Sequence, residues 1–361
     1  MPSSYSVARF FLPKSLKISL LLFSFCFMFC VHNIAIVNRS FVLHSIVASV
    51  ARYIRIPTSN EIHQNPAFGV VSFDSFNLDY KINNVTCCVV KKPFLVIFVK
   101  SQATNFEQRA AIRRSWGDSQ TWKIDAAYEF IVMFIVGLAE KTITDVQRKL
   151  VHENSKHHDI VQINVVESFY TLTYKLIGQF KWVTKYCTSA KYFMTTDDDV
   201  FVHVQNLVTY LVKFEEKNLY LGCVHSGSPP IRNPSSKYYV PYSVYSGLYF
   251  PDYCPGAGYV LSLHSLQLLF AQASSLPLLY IDDVYAGLLA NIAKIKPTVS
   301  LRFYCEFRVP DDPCFLQYFI TSHSHSATEL LKMSTVVKST EQGGYLCREK
   351  IFFREVLRFP L

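Results

Sequence analysis

The sequence predicts an α/β domain with a mostly parallel central sheet, preceded by an N-terminal transmembrane helix. Short apolar runs alternate with amphipathic stretches of helical spacing, and this alternation is typical of parallel sheets. One apolar segment near the N-terminus has the length of a bilayer-spanning helix. With 361 residues, 50% hydrophobic and 17% charged, the chain is long enough for a substantial core and is not a disordered protein.

The segment Ile18–Val37 contains no Asp, Glu, Lys or Arg and follows Arg9, Lys14 and Lys17. A cleaved signal peptide is the alternative, but the run exceeds a usual signal core and no small-x-small cleavage site follows it. We expect residues 1–17 to be a cytoplasmic tail and residues 18–37 a signal anchor. The rest of the chain would then lie across the membrane.

Residues 38–88 are polar in patches and weakly periodic, which favours a stem that separates the next domain from the bilayer. A packed subdomain is the alternative, because Phe68, Val70 and Phe73 are apolar for a linker. We expect a lumenal domain over 89–335 and a C-terminal extension over 336–361. Sequons at Asn38 and Asn84, and eight cysteines outside the apolar segment, suit an oxidising lumen. The disulfide connectivity cannot be deduced from the spacing.

The formal net charge of +9 is spread along the chain without a dense Lys/Arg block. Nucleic acid is therefore a poor partner prediction, and anionic substrates or a membrane surface fit better. No CxxC pair is present, so a zinc site is not predicted.

Four apolar runs are predicted to be buried strands: 94–100, 129–137, 159–166 and 191–196. Amphipathic stretches separate them, and the helical spacing in these stretches predicts an alternating β/α order. In such sheets ligands bind at the carboxyl ends of the strands. The acidic cluster Asp197-Asp198-Asp199 comes directly after the fourth of these runs.

Three adjacent carboxylates repel one another unless a cation lies between them, and oxygen ligands without cysteine suit Mg²⁺, Mn²⁺ or Ca²⁺. A solvated acidic turn or a helix N-cap is the alternative, but the apolar flanks on both sides favour metal. A phosphotransferase of the haloacid-dehalogenase type requires D-x-D-x-[TV], and Phe201 does not match this pattern. The other candidate is a nucleotide-sugar site, in which the metal bridges a diphosphate.

Sugar transfer with inversion also requires a general base near the acceptor hydroxyl. Asp282 and Asp283 precede an apolar helical stretch and supply candidate carboxylates, although such a pair is also common as a helix N-cap. Gly256 and Gly258 lie between aromatic residues and permit close backbone approach to a ligand. An ordinary tight turn is the alternative interpretation of these two glycines.

Over about residues 94–332 the chain resembles glycosyltransferase family 31, the β-1,3-galactosyltransferase and β-1,3-N-acetylglucosaminyltransferase group. Five elements occur in the family's order, which is far more specific than any one alone. They are "RAAIRRSWG", "ESFYTLTYKL", "TTDDDVFV", "FPDYCPGAGYVLS" and "IDDVYAG".

The resemblance implies a GT-A-type fold, a type II Golgi membrane topology, a UDP-sugar donor, Mn²⁺ dependence and inversion to a β-linkage. By position it implies metal binding by Asp199, Asp197 and His323, and base catalysis by Asp283 beside Asp282. The implied donor-binding residues are Arg109, Arg113, Trp116, Lys175, Asp197, Asp198, Gly256 and Gly258. A neighbouring histidine, His325, is the alternative to His323.

Several positions depart from the family pattern: Asp282 replaces a Glu, Thr171 an Asn, Leu176 a Thr and Thr195 a Lys. These changes affect donor and acceptor choice more than the metal and base positions. We expect transfer of a hexose, with galactose as the first choice, to a glycoprotein or glycolipid glycan through a β-1,3 bond. The alternatives are an N-acetylglucosaminyltransferase or a catalytically silent glycan-binding or chaperone-like partner. Each of these functions is compatible with a homo- or hetero-oligomer.

Overall fold

The computed structural model describes residues 78–139, 144–214 and 217–342. Within them the main sheet has eight strands, in the spatial order β1-β4-β3-β2-β5-β8-β7-β9. Their bounds are β1 Tyr80–Ile82, β2 Leu95–Lys100, β3 Phe130–Leu138, β4 Ile160–Val166, β5 Tyr192–Asp197, β7 Tyr220–Gly222, β8 Tyr259–Ser262 and β9 Thr298–Val299. A second sheet has the order β10-β11-β6, from β6 Phe201–Val202, β10 Phe303–Tyr304 and β11 Thr321–Ser322.

Helices of the described residues connect and cover these strands. Their bounds are α1 Thr86–Lys91, α2 Phe106–Arg114, α3 Thr144–His157, α4 Leu172–Tyr186, α5 Val204–Leu211, α6 Leu263–Gln272, α7 Asp282–Ile292, α8 Pro313–Leu316 and α9 Ala327–Gln342. The four strands expected from the apolar runs are β2 to β5. The expected alternation with helices is confirmed by α2, α3 and α4 between them.

The centre of the main sheet is parallel, as expected: β4, β3, β2 and β5 are neighbours and run in one direction. All six residues of β2 are buried, because helices cover both faces of this sheet. Strands β1 and β8 run antiparallel to their neighbours, so the sheet as a whole is mixed.

Two apolar clusters lie on opposite faces of the sheet. One contains Leu176 of α4, Leu266 of α6 and Leu289 of α7. The other contains Ile112 of α2, Leu207 of α5 and Leu330 of α9, and it also covers the small second sheet. The first turn of α7 and the β5–β6 turn meet at one end of the main sheet, because Lys100 at the end of β2 contacts both Asp282 and Asp197.

The N-terminal described residues belong to this domain. Strand β1 pairs with β4, and the Cys88–Cys187 disulfide joins α1 to the end of α4. Residues 78–88, the C-terminal end of the expected stem, therefore pack against this domain. A second disulfide joins Cys223 to Cys305, and Cys87 and Cys254 are free thiols.

The expected anchor, residues 18–37, and most of the expected stem lie outside the described residues. Within the described ranges, no helix combines the length and apolar character needed to cross a membrane. At the other end, α9 runs from Ala327 to Gln342 and so crosses the expected boundary between residues 335 and 336.

Candidate active site

Lys100 contacts both acidic groups that the sequence predicted to form the site, the Asp197-Asp198-Asp199 turn and the Asp282-Asp283 pair. It ends β2 directly opposite Asp197 at the end of β5. Its ammonium lies 3.0 Å from Asp197 Oδ1 and 2.7 Å from Asp282 Oδ2, with 3% of the side chain exposed. Burial alone would lower the pKa of Lys100, but Asp197 and Asp282 outweigh it and hold the pKa well above its usual value.

Asp198 is held by the loop between β2 and α2. One of its carboxylate oxygens accepts hydrogen bonds from Ser101 Oγ at 2.7 Å and Asn105 Nδ2 at 2.8 Å. Gln108 Nε2 donates to the Asp198 carbonyl at 3.0 Å. Burial raises the pKa of Asp198 despite the two donors. This side chain therefore fixes the turn that presents its two neighbours.

Asp197, Asp199 and His323 bring their ligand atoms within 4.8 Å of one another. Strand β11 pairs with β6, and this pairing brings His323, the residue after β11, back to the acidic turn. His323 Nε2 lies 3.4 Å from Asp199 Oδ2, and this contact raises the pKa of the imidazole. The other oxygen, Asp199 Oδ1, is buried without a hydrogen-bond partner.

The three residues fit a divalent cation. A buried carboxylate oxygen without a partner is costly unless a ligand satisfies it, and two carboxylates with one imidazole form a donor set that Mn²⁺ accepts. His325, the alternative to His323, instead contacts the Ser322 hydroxyl at 2.8 Å. Burial lowers the pKa of His325 to about 4, so it stays neutral.

Asp282 and Asp283 occupy the first turn of α7, where the helix dipole favours negative charge. Asp282 is buried against Lys100, whereas Asp283 is partly exposed. Asp283 accepts hydrogen bonds from the Gly256 backbone at 3.2 Å and the Val284 backbone at 2.7 Å. Desolvation, followed by the charge of Asp282, raises the pKa of Asp283 to about 7. This value suits a general base at neutral pH.

Gly256 lies between the two acidic groups. A Cβ there would lie 2.9 Å from Asp197 Oδ2 and 3.1 Å from Lys100 Nζ, so any larger residue would displace one of them. Gly258 has a φ of +126°, and a Cβ there would lie 2.9 Å from Met194 Cε and 3.1 Å from Thr321 Cγ2. The two glycines thus allow the backbone to pass beside the carboxylates.

Three residues of the "RAAIRRSWG" element that were expected at the donor, Arg109, Arg113 and Trp116, have their side chains turned into the protein, whereas Arg114 is exposed. Arg109 is fully buried, pairs with Glu153 at 2.7 Å and donates to Ser101 Oγ at 3.1 Å. Arg113 pairs with Glu153 and Asp159, and Trp116 lies in the core. The described contacts bring Arg109 to the acidic turn only through Ser101, and donor contact by this element stays a prediction.

Lys175, also expected at the donor, is buried between Glu167 and the Ser101 carbonyl, each at 2.7 Å. It therefore supports the same β2–α2 loop as Arg109. The residues that sequence reasoning missed are Lys100, Ser101 and Asn105. The sequence could have indicated Lys100 as a site residue, because it is a charged residue at the carboxyl end of an otherwise apolar strand.

Comparisons with known proteins agree with the five-element resemblance. A family model described as Galactosyltransferase matches residues 107–300. The human lactosylceramide 1,3-N-acetyl-beta-D-glucosaminyltransferase is 39% identical over 275 residues, covering 74% of this chain and 73% of that protein. The protein of the same name from Xenopus tropicalis is 40% identical over 251 residues, covering 68% and 67%.

A solved structure of a glycosyltransferase involved in glycosylation of the major capsid of PBCV-1 covers 69% of this chain and 100% of its own. Its TM-score is 0.36 and its identity 11%.

The family model and these relatives place the chain in the glycosyltransferase class. The chain belongs to the galactosyltransferase family, glycosyltransferase family 31, and the resemblance drawn from the sequence is confirmed. The expectation of galactose as the donor sugar finds no support in these relatives, whose names specify N-acetylglucosamine.

Proposed function

We propose that this protein transfers N-acetylglucosamine from a UDP-sugar to a hydroxyl of a glycan, with inversion, and forms a β-1,3 linkage. The observation that carries the proposal is the arrangement around Gly256. A partly exposed base candidate, Asp283, lies beside a group of Asp197, Asp199 and His323 that fits a cation. The names of the relatives support N-acetylglucosamine as the sugar and a lactosylceramide-type glycan as the acceptor.

Asp199, His323 and Asp197 would hold the divalent cation, for which we propose Mn²⁺. When bound, the cation supplies Lewis-acid stabilisation of the negative charge that develops on the leaving UDP. Asp198 and its donors hold the turn rigid. A mixed sheet with the donor site at its carboxyl edge supports assignment to the GT-A type.

Asp283 would take the proton of the acceptor hydroxyl as that oxygen attacks the anomeric carbon. Its raised pKa keeps the carboxylate basic enough to accept this proton near pH 7. The backbone N–H groups of Gly256 and Val284 fix both carboxylate oxygens. Asp282, paired with Lys100, positions the first turn of α7 and is not itself the base.

The cellular setting is also part of the proposal. We infer that residues 18–37 anchor the protein in the Golgi membrane as a single-pass type II protein with the catalytic domain in the lumen. The length of that apolar segment supports a membrane span. The disulfides of the described domain support an oxidising compartment such as the lumen. The acceptor would be a glycolipid or glycoprotein glycan that ends in galactose.

The test is a transfer assay with the purified full chain, Mn²⁺, methyl β-lactoside and either UDP-N-acetylglucosamine or UDP-galactose. We expect a β-1,3-linked N-acetylglucosamine product by NMR, and loss of turnover when the metal is chelated. Faster use of UDP-galactose would overturn the donor assignment. Donor binding without turnover on any galactose-ending acceptor would instead identify a catalytically silent family member.

Mn²⁺ should also raise the thermal midpoint of the wild-type chain, because it binds the folded state. Asp199→Asn should abolish this shift, whereas Asp311→Asn, an exposed control of the same chemistry, should retain it. An unchanged shift in Asp199→Asn would contradict the metal assignment.

A further inference from the structure

We propose that an aromatic platform formed by Phe169, Tyr170, Tyr238 and Tyr280 binds the sugar unit that follows the acceptor galactose. The proposal rests on the function proposed above, since it names a second subsite of the same acceptor. It makes the protein selective for a disaccharide end over a single galactose.

The four rings come from three separate segments and meet at Phe169. The centroid of Phe169 lies 5.6 Å from that of Tyr170, 5.3 Å from Tyr238 and 6.1 Å from Tyr280. Tyr170 and Tyr280 are 5.1 Å apart. Tyr170 is 58% exposed and Tyr238 41% exposed, so the cluster presents ring area to solvent. Grouped exposed aromatics of this kind mark interaction surfaces.

The platform is tied to the general base candidate. Tyr280 lies three residues before Asp283, and three peptide units span at most about 11 Å. Thr173 at the start of α4 donates a hydrogen bond to the Leu279 carbonyl at 2.5 Å, which fixes this segment against the helix that follows Phe169 and Tyr170. A sugar on the platform would therefore be close to the one that Asp283 deprotonates.

The chemistry of the platform suits a neutral sugar. Tyrosine rings offer apolar faces for the C–H side of a pyranose and hydroxyl groups for its edge. The three segments 168–171, 236–240 and 278–281 contain no Asp or Glu. Their single charge is Lys237, whose ammonium lies over the rings of Phe169 and Tyr238 at 5.2 and 4.8 Å. A membrane surface would also accept tyrosines, but the link to Asp283 favours the acceptor glycan.

The test compares two acceptors, methyl β-galactoside and methyl β-lactoside, with Tyr170→Ala and Tyr238→Ala in the full chain. We expect the KM for the lactoside to rise roughly ten-fold, the size of one lost aromatic contact, with little change in kcat or in the KM for the donor. The KM for the galactoside should stay as in wild type. The control is Tyr249→Ala, because Tyr249 is 60% exposed and lies outside the platform.

Equal effects on both acceptors, or none, would overturn the platform. It would also be overturned if the variants used soluble lactoside normally and lost only lactosylceramide in detergent micelles, because the surface would then contact lipid. Saturation-transfer NMR of the lactoside without donor provides a separate readout. Tyrosine-dependent binding in a chain that transfers no sugar would refute the proposed function and leave the platform standing.

Discussion

Two charged regions of the protein differ in their balance of positive and negative side chains. Beneath α2, two arginines meet two acids in bidentate contacts: Arg109 and Arg113 with Glu153 and Asp159. At the ends of β2 and β5, the described residues place one lysine, Lys100, and the imidazole of His323 among five carboxylates. These are Asp197, Asp198, Asp199, Asp282 and Asp283.

The charges of the first region are balanced within the fold, whereas the second region has an excess of negative charge that the proposed cation would offset. Two buried lysines show the same contrast. Burial lowers the pKa of Lys175, because the charges of Glu167 and Asp198 do not compensate for the loss of water and the repulsion from Lys100. Lys100 is equally buried, yet Asp197 and Asp282 together raise its pKa. The excess negative charge is therefore concentrated on the side where the cation is proposed.

The strongest test of this contrast is Asp283→Asn, which removes the base and keeps the shape of the side chain. We expect kcat to fall by about 10²- to 10⁴-fold, the usual contribution of general base catalysis. The KM for the donor should change little, because the base acts mainly in the transition state. Asp311→Asn provides the exposed control. Retention of wild-type kcat in Asp283→Asn would refute the assignment.

The second test breaks one ion pair in each region. Lys100→Met leaves the buried Asp282 and the partly exposed Asp197 without their cation. Glu153→Gln leaves Arg109 and Arg113 with one acid fewer. Each should lower the free energy of unfolding by about 3–5 kcal/mol, the usual cost of an unpaired buried charge.

The two variants should differ in activity. The folded fraction of Glu153→Gln should keep its kcat, whereas that of Lys100→Met should lose it. Chemical denaturation and initial rates measure the two effects, with Lys213→Met as the exposed control. Equal kcat losses in both variants would remove the distinction between the regions.

The sequence predicted the parallel centre of the sheet because β2 to β5 are continuous apolar runs, and buried parallel strands require such runs. It also selected the acids, since a triple Asp at a strand end is distinctive. It could not separate the arginines that pair with Glu153 from arginines that contact a nucleotide, because a guanidinium binds carboxylate and phosphate by the same geometry. Lys100 was missed because its partners, Asp197 and Asp282, are distant in sequence and meet only in the fold.

The pH dependence should reflect the unbalanced region. The proposed base, Asp283, must be ionised to accept a proton, and its pKa is raised to about 7. We therefore expect kcat/KM at saturating Mn²⁺ to rise about ten-fold per pH unit below that value and to level off above it. The neighbouring Tyr253, Cys254 and Tyr259 have raised pKa values and stay neutral in this range.

Asp282→Asn should move this acid limb to lower pH, because the charge of Asp282 contributes to the raised pKa of Asp283. The pH profiles of the two proteins provide the measurement. A limb that stays in place, or moves to higher pH, would show that a different group controls the profile.

The smallest effect is expected for Asp198→Asn. This carboxylate is already satisfied by Ser101 and Asn105, and the amide keeps one oxygen that can accept from them. We expect kcat to fall by no more than a few-fold and stability by about 1 kcal/mol, whereas Asp199→Asn should lose both activity and Mn²⁺-dependent stabilisation. Side-by-side rates and thermal midpoints compare the two. If Asp198→Asn were as inactive as Asp199→Asn, the excess charge would act as one unit, and the separation of supporting and cation-binding acids within the turn would be wrong.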